Sequence, residues 1–371
     1  MPELYQLLIY CFAVIAFINI AYYLYLLPFC LSAKAKKTES PAPAVSLIVC
    51  AKNEAENLRQ HIPLWLNQNH PNFELILIND GSWDDTLEVM EEFAAKDHRI
   101  QIADVAPNET FWGSKKYALT LGIKRAKNEH LVFTDADCRP ASSQWLRTIA
   151  QNFSAENEII LGYGAYDKIK NSFLNKIIRY ETVMTALQYY GYATNGSPYM
   201  GTGRNLAYTA QLFYKNKGFV EHIKIKSGDD DLFINAAATS NNTALCIDPE
   251  AFTYSKPKIS FKTWYRQKRR HISTAHLYKK RHQFALGLFY FSQLFFILFT
   301  ILFLIFNPSS YIFITLVAVR YLVAALAMVG VSIKLKEKDI YPFFPVLEVC
   351  LVYFQLSIFI HNLIAKPKHW K

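Results

Sequence analysis

The sequence predicts an α/β domain on a mostly parallel sheet, flanked by helices that cross a membrane. Three observations predict it. Apolar runs such as Val45–Ala51 (VSLIVCA) and Phe73–Asn79 (FELILIN) read as strands buried on both faces. Helical stretches alternate with them, the rhythm of parallel strands joined by crossover helices. Uncharged stretches long enough for a bilayer core of about 30 Å stand toward both ends of the chain.

The first such stretch, Leu4 to Leu31, has no charged residue. No basic residue precedes it, and no small-residue cleavage site follows a short apolar core. A retained anchor is therefore expected rather than a cleaved signal peptide. Lys34, Lys36 and Lys37 follow, which by the positive-inside rule puts its C-terminal end in the cytoplasm.

The α/β section comes next. Val45–Ala51 leads into a helix from Glu54 to about Asn67, and Phe73–Asn79 ends at Asp80-Gly81-Ser82. Arg99–Val105 reads as a third strand and Lys115–Ala126 as a helix. His130–Thr134 (HLVFT) is a further strand that ends on Asp135. In parallel sheets ligands bind beyond the carboxyl ends of the strands. Asp80 and Asp135 stand at two such ends, so one crevice is expected to hold both.

Ser260–His282 carries eight Lys/Arg and no acid, interleaved with Phe261, Trp264, Tyr265, Ile272, Leu277 and Tyr278. It reads as one basic amphipathic helix on the cytoplasmic lipid surface. It accounts for much of the net charge of +10 with no need of nucleic acid.

Phe284–Phe306 and Tyr311–Ile333 are further spans, joined by the turn Asn307-Pro308-Ser309-Ser310. Tyr341–Ala365 is a third apolar segment, interrupted by Pro342, Pro345 and Glu348. Lys334, Lys336 and Lys338 before it read as cytoplasmic. A full crossing would place Lys366, Lys368 and Lys371 outside, against the same rule. Two spans with a re-entrant or interfacial last segment, or three spans, both stay open. Arg320 and Glu348, within these segments, are expected to form a buried pair or to snorkel. The organisation read from the sequence is an anchor (1–37), a cytoplasmic α/β domain (38–258), a basic interfacial helix (259–283) and a C-terminal membrane region (284–371).

Other classes are excluded by what the motifs lack. The cysteines at 11, 30, 50, 138, 246 and 350 make no CxxC pair, so neither a disulfide framework nor a zinc site is expected, and a reducing compartment fits. No GxGxxG follows Val45–Ala51, and GxxxxGK[ST] is absent from the sequence, which removes dinucleotide and P-loop readings.

The chemistry is carried first by Thr134-Asp135-Ala136-Asp137. Two carboxylates one residue apart, in the turn after a strand, can share a hard cation such as Mg²⁺ or Mn²⁺. Such a cation would neutralise a diphosphate leaving group. The alternative for an isolated DxD is a pair of solvated turn acids. Asp229-Asp230-Asp231 is the second feature. Three adjacent acids repel one another and raise at least one pKa, as a general base requires. Here the alternative is an N-cap for a helix starting near Leu232. Asp84 and Asp85 read as caps of the next helix. Gly201-Thr202-Gly203 is read equally as a backbone approach to a sugar or a turn.

The order of these elements carries a resemblance. Lys52-Asn53-Glu54 follows the first strand, and Asp80-Gly81-Ser82-Trp83-Asp84-Asp85-Thr86 the second. Gly113-Ser114-Lys115-Lys116-Tyr117-Ala118-Leu119 and the TDAD turn come next. Gly201-Thr202-Gly203-Arg204-Asn205, Ser227-Gly228-Asp229-Asp230-Asp231 and Gln267-Lys268-Arg269-Arg270-His271 complete the series. From Val45 to His271 it closely resembles the family-2 glycosyltransferases, which include cellulose and hyaluronan synthases, and the related ceramide glucosyltransferases.

The resemblance implies a GT-A fold, a Rossmann-like domain for nucleotide-diphosphate sugars, flanked here by transmembrane helices. It implies that Asn53, Glu54 and Asp80 hold the nucleotide and that Lys115 lies near the donor. Asp135 and Asp137 match the metal motif for Mg²⁺ or Mn²⁺, with Asp137 the more direct ligand and Asp135 also beside the donor. Asp230 matches the general base of an inverting transfer, with Asp229 its neighbour. Gln267 and Arg270 match the element that lies against the donor diphosphate and acceptor. His271 stands where the family usually has Trp, a departure that argues against a processive polymer synthase. The expected partners are a nucleotide-sugar donor, a lipid or lipid-linked acceptor and the bilayer, with no nucleic acid. The expected location is the cytoplasmic face of a membrane, the bacterial inner membrane by type. The rival readings are a processive polysaccharide synthase, a polytopic transporter with a sugar-nucleotide-binding domain, and a sugar-nucleotide binder without catalysis.

Overall fold

A computed structural model describes residues 2–32, 41–105, 115–225 and 227–364. The lysines flanking the first and last apolar segments (34, 36, 37, 366, 368 and 371), Gly113 and Ser114 lie outside the described residues.

The chain opens with α1 (Pro2–Leu31). The α/β domain then runs β1 (Val45–Ala51), α2 (Ala55–Leu66), β2 (Phe73–Asp80), α3 (Thr86–Ala94), β3 (Ile100–Val105), α4 (Lys115–Arg125) and β4 (His130–Asp135). It continues with β5 (Cys138–Pro140), α5 (Trp145–Ala150), β6 (Ile159–Leu161), β7 (Gly164–Tyr166), α6 (Phe173–Thr194), β8 (Leu206–Thr209) and α7 (Ala210–Lys215). It closes with α8 (Asp231–Ala237), β9 (Thr243–Leu245) and β10 (Thr253–Ser255). Then come α9 (Phe261–Ile272), α10 (Lys280–Phe306), α11 (Tyr311–Lys334) and α12 (Phe344–Ile364).

The main sheet has the order β3-β2-β1-β4-β8-β6-β9. β3, β2, β1 and β4 are parallel neighbours, while β8 runs antiparallel between β4 and β6. Because β2 and β3 lie on one side of β1 and β4 on the other, the winding reverses between β1 and β4. At such a switch point a crevice opens at the carboxyl edge. Register places Cys50 of β1 beside Asp135 of β4, and Ala51 beside Asn79 of β2. β10 pairs with β5 and β7 in a small second sheet, which braces the turn after Asp135.

Among the described residues, four helices are long and apolar enough to cross a membrane: α1, α10, α11 and the segment Tyr341–Ile364 that contains α12. The outer halves of α1, α10 and α11 meet through Phe12, Phe296, Phe303 and Phe313. Nearer the domain, Leu26 and Phe29 of α1 and Ala327 and Val331 of α11 join one apolar core with Tyr190 of α6 and the sheet. Gly191 of α6 lets this happen, since a Cβ there would come 2.6 Å from Leu26 Cδ2.

Arg320 and Glu348 do pair. The Arg320 Nη1 donates to Glu348 Oε2 at 2.7 Å and Nη2 to Oε1. Asn19 accepts from Arg320 Nε at 2.7 Å, and Tyr23 and Gln293 donate to Glu348 at 2.9 and 3.0 Å. All four helices therefore contribute to one buried polar knot, which satisfies charges that an apolar setting would otherwise penalise.

Two expectations change. Ser260–His282 is not one helix: α9 ends at Ile272, a single 3₁₀ turn covers Ala275–Leu277, and α10 starts at Lys280. The cause is tertiary, because the hydroxyls of Thr274 and Tyr278 both turn to Asp231. Nor does α9 meet only lipid. Trp264 is buried against Phe354 of α12, and Lys268 pairs with Glu181 of α6.

α12 keeps protein contacts along its length. Phe344 meets Tyr321, Glu348 meets Arg320, and Val352 accepts from Tyr290. Its second half runs beside α9: Phe354 by Phe261, Ser357 by Tyr265 and Asn362 by Arg269. The opposite side, with Val346, Val349, Tyr353, Ile360 and Ile364, is exposed.

Candidate active site

The crevice at the carboxyl edge is framed by three turns. After β1, Asn53 takes a left-handed backbone (φ 55°), a conformation asparagine tolerates better than most side chains. Its backbone N–H donates to Ser82 Oγ at 3.0 Å, and its side-chain oxygen accepts from the Trp83 N–H at 3.0 Å. The turns after β1 and β2 are thereby locked together. Glu54 N–H donates to Thr86 Oγ1 at 2.8 Å, and its carboxylate accepts from Asn57 at 2.6 Å. Asp84 accepts from Thr86 and from the Ala55 N–H, so its role is local fastening of α2 and α3. Asp80 is buried at the end of β2. Burial pushes its pKa up, opposed by the charges of Lys52 and Lys115.

The centre is Lys115 at the start of α4. Its Nζ lies 2.9 Å from Asp135 Oδ1 and 3.0 Å from Asp229 Oδ2. Burial works against the ammonium, but the two carboxylates outweigh it and hold its pKa well above the ordinary value. For Asp135, burial alone would raise the pKa; the Lys115 charge and hydrogen bond, with Arg204 and Arg270 further off, bring it below the usual range. Lys115, Asp135, Asp229 and Asp230 line one cavity with Cys50, Thr134, Gly203 and Tyr208.

Asp230 is both the residue that opens α8 and a wall of that cavity. Its Oδ1 accepts from the Asp231 N–H at 2.8 Å and its Oδ2 from the Gly203 N–H at 2.7 Å. Capping and cavity roles thus coexist. Burial, then the charges of Asp229 and Asp231, push its pKa up to about 7 against the Gly203 amide and Lys115. The preceding Gly228 (φ 90°) makes the turn; a Cβ there would come 2.5 Å from Leu232 Cδ1.

Asp137, two residues past Asp135, has its pKa raised by burial first and then by Asp135 and Glu54. Asp135, Asp137 and Cys138 each place a ligand atom within 4.8 Å of the others. The two carboxylates are hard oxygen donors that repel one another, a pair suited to Mg²⁺ or Mn²⁺. The Cys138 thiol is buried with its pKa well raised, and it donates to Asp137 Oδ1 at 3.4 Å. With two carboxylate oxygens to one thiol, the donor set fits a hard divalent cation.

α9 supplies the far wall. Gln267 and Arg270, three residues apart, share a helix face. Burial lowers the Arg270 pKa, and the charges of Asp229, Asp135 and Asp230 oppose that fall. His271 follows on the same helix, with Arg270 Nη2 3.5 Å from its Nε2.

Three neighbours carry more than the sequence showed. Arg204 stacks 4.2 Å over Tyr166, donates to the Ala165 carbonyl and Ser255, and its charge opposes the rise at Asp137. Its place in the GTGRN element was the available signal. Lys116 Nζ is buried and donates to the carbonyls of His222, Ile225 and Ser227 at 2.8, 3.1 and 2.8 Å, gathering the loop that leads to Asp229. Nothing in the sequence marks it out beside Lys115. The Gly203 amide is the third.

A parallel sheet with a carboxylate crevice at its switch point, an antiparallel β8 beside β4 and a brace at the Asp135 turn define a GT-A-type glycosyltransferase fold. A mannosyltransferase from Pyrobaculum calidifontis, solved with GDP-Man and Mn2+, superimposes with a TM-score of 0.65 over 96% of this chain and 98% of that one, at 14% identity. Residues 46–216 match glycosyl transferase family 2, and the chain carries a domain of that family. Among its relatives are a glycosyltransferase of Haemophilus influenzae of uncharacterized role (29% identical over 154 residues, 40% of this chain and 59% of that one) and a poly-beta-1,6-N-acetyl-D-glucosamine synthase of Staphylococcus epidermidis (33% over 110 residues, 30% and 26%). The chain thus spans less than two thirds of the length of either relative.

Proposed function

We propose that this protein transfers a sugar from a nucleotide-diphosphate donor to a lipid or lipid-linked acceptor at a membrane face, with inversion and with Asp230 as general base. The observation that carries the reading is the Lys115 bridge, which brings Asp135 at the end of β4 to Asp229 at the start of the acidic run. That closeness supports reading a cation-binding pair and a base in one crevice.

In this reading Asn53, Glu54 and Asp80 receive the nucleoside, since they stand on the interlocked turns after β1 and β2. Asp135 and Asp137 hold Mg²⁺ or Mn²⁺, which when bound neutralises the departing diphosphate. Arg270, with Gln267 beside it, faces the same negative charge from α9. Asp230, its carboxylate fixed by the Gly203 amide, takes the proton of the acceptor hydroxyl as the new glycosidic bond forms. The Lys115 charge and hydrogen bond favour the ionised form of Asp135, and a pKa of about 7 lets Asp230 accept a proton at neutral pH. His271 lies at the acceptor end.

The membrane placement rests on α1, α10 and α11, whose outer halves project from the domain, and on the exposed apolar side of α12. With α12 lying along α9, an acceptor hydroxyl can approach the crevice while its lipid part stays in the bilayer. The catalytic domain then occupies the cytoplasmic side.

The test incubates membranes containing the chain with a panel of labelled nucleotide sugars, with and without EDTA, and identifies the labelled product. Transfer into an organic-extractable product, lost on chelation and in Asp137→Ala and strongly reduced in Asp230→Asn, is the expected result. Full turnover by Asp230→Asn would falsify the base assignment, and turnover insensitive to EDTA would remove the metal from Asp135 and Asp137.

A further inference from the structure

α8 is a short helix capped at its start by Asp230. Its next residue, Asp231, is buried, and its Oδ2 accepts from both the Thr274 and the Tyr278 hydroxyls at 2.6 Å. Its Oδ1 accepts from the Leu232 N–H at 2.7 Å. Four residues on, on the same helix face, Asn235 is also buried. Its side-chain oxygen accepts from the Lys279 N–H at 2.8 Å. Its amide nitrogen donates to the Tyr199 carbonyl at 2.8 Å and lies 3.0 Å from His282 Nδ1.

Thr274, Tyr278 and Lys279 belong to the connector between α9, which carries Arg270, and the membrane helix α10, and His282 stands in the first turn of α10. We infer that Asp231 and Asn235 form a clamp that positions Asp230 against Arg270 and ties the reacting crevice to α10. Neither residue touches the cavity's reacting atoms; they act through Asp230 and α9.

The physical case is one of leverage. α8 spans only Asp231–Ala237, so a two-turn helix by itself cannot hold a carboxylate steady. Arg270 sits four residues before Thr274, near the end of a helix anchored on its other side by Trp264 and Lys268. The clamp is where these two ends are joined. Buried hydroxyl-to-carboxylate bonds of this kind are short and directional, and a misplacement of about 1 Å at a reacting group can cost on the order of a hundredfold in rate. The same bonds explain why the basic segment stops being helical at Ile272.

The inference rests on the glycosyltransferase reading above, and the test separates the two. Full-length protein in membranes would be compared as wild type, Thr274→Val/Tyr278→Phe, Thr274→Ser and Asp230→Asn, with kcat and KM for sugar transfer. Binding of UDP and of GDP in the presence of Mn²⁺, and thermal unfolding, would be measured in parallel. The clamp predicts a kcat lowered at least about tenfold in the double variant, with the Kd of the nucleotide that binds changed less than about threefold. Thr274→Ser keeps the hydroxyl and should stay within about twofold of wild type.

Wild-type kcat in the double variant, with Asp230→Asn inactive, overturns the clamp and leaves the functional reading standing. Kd and kcat weakening in step with a fallen unfolding temperature, unrescued by Thr274→Ser, assigns these residues to fold maintenance and also overturns it. Full turnover by Asp230→Asn overturns both, since there is then no base to position.

Discussion

The backbone N–H of Gly203 donates to Oδ2 of Asp230 at 2.7 Å, across 27 residues of sequence. A Cβ at Gly203 would stand 3.3 Å from that same oxygen, closer than most such contacts. Gly203→Ala should therefore displace the carboxylate while leaving the chain folded. A fall in kcat of about tenfold to a hundredfold is expected, with nucleotide affinity little changed. Unaltered kcat in the alanine variant would show that the amide does not orient the base.

The pKa of Asp230 sets a second expectation. Asp229 and Asp231 raise it and Lys115 and the Gly203 amide lower it, with burial the largest influence and the outcome about 7. A general base must be ionised to accept a proton, so activity is lost as pH falls through that value. kcat/KM should climb about tenfold per pH unit on the acid side and level off above the midpoint. A profile flat from pH 5 to 8 would be incompatible with Asp230 as the titrating group.

These two expectations show how unevenly the sequence revealed the site. β1 was legible to the residue, because seven successive apolar or small residues can only be a strand buried on both faces. Asp80 and Asp135 were placed at strand ends for the same reason. Gly203 was visible as a glycine but not as a donor, since its partner lies in a distant loop. Lys116 gave no sign, because a helical lysine is ordinarily solvated and only the fold brings three carbonyls to it. The basic segment misled for a related reason: its periodicity is helical throughout, and two hydroxyls bound to Asp231 override it. Hydropathy found α12 but could not give its direction.

The bundle offers a test of stability rather than turnover. Arg320 and Glu348 are 0% and 1% exposed, with Asn19, Tyr23 and Gln293 completing their hydrogen bonds. Removing one charge strands the other. Arg320→Met should cost about 3–5 kcal/mol, whereas Arg320→Met combined with Glu348→Gln should recover much of that loss. Thermal unfolding of the detergent-solubilised protein measures both. Equal destabilisation by the single and double variants would mean that the pair matters as packing rather than as paired charge.

The path of α12 decides on which side of the membrane Ile364 lies relative to the crevice. Its length and composition suit a crossing, yet Phe354, Ser357 and Asn362 meet Phe261, Tyr265 and Arg269 in succession. A helix in step with α9 over that distance cannot also run away from the domain through a bilayer. The exposed Val346, Val349, Tyr353, Ile360 and Ile364 recur at three- and four-residue intervals and multiples of them, which makes one apolar stripe. That stripe is what a helix lying in the membrane interface would bury. Cysteines introduced at the exposed His361, which lies off that stripe, and at the exposed Lys96, in a Cys11→Ser background, should react with an impermeant maleimide from the same side of oriented vesicles. Labelling of the two positions from opposite sides would mean that α12 crosses, and that its contacts with α9 do not persist in the bilayer.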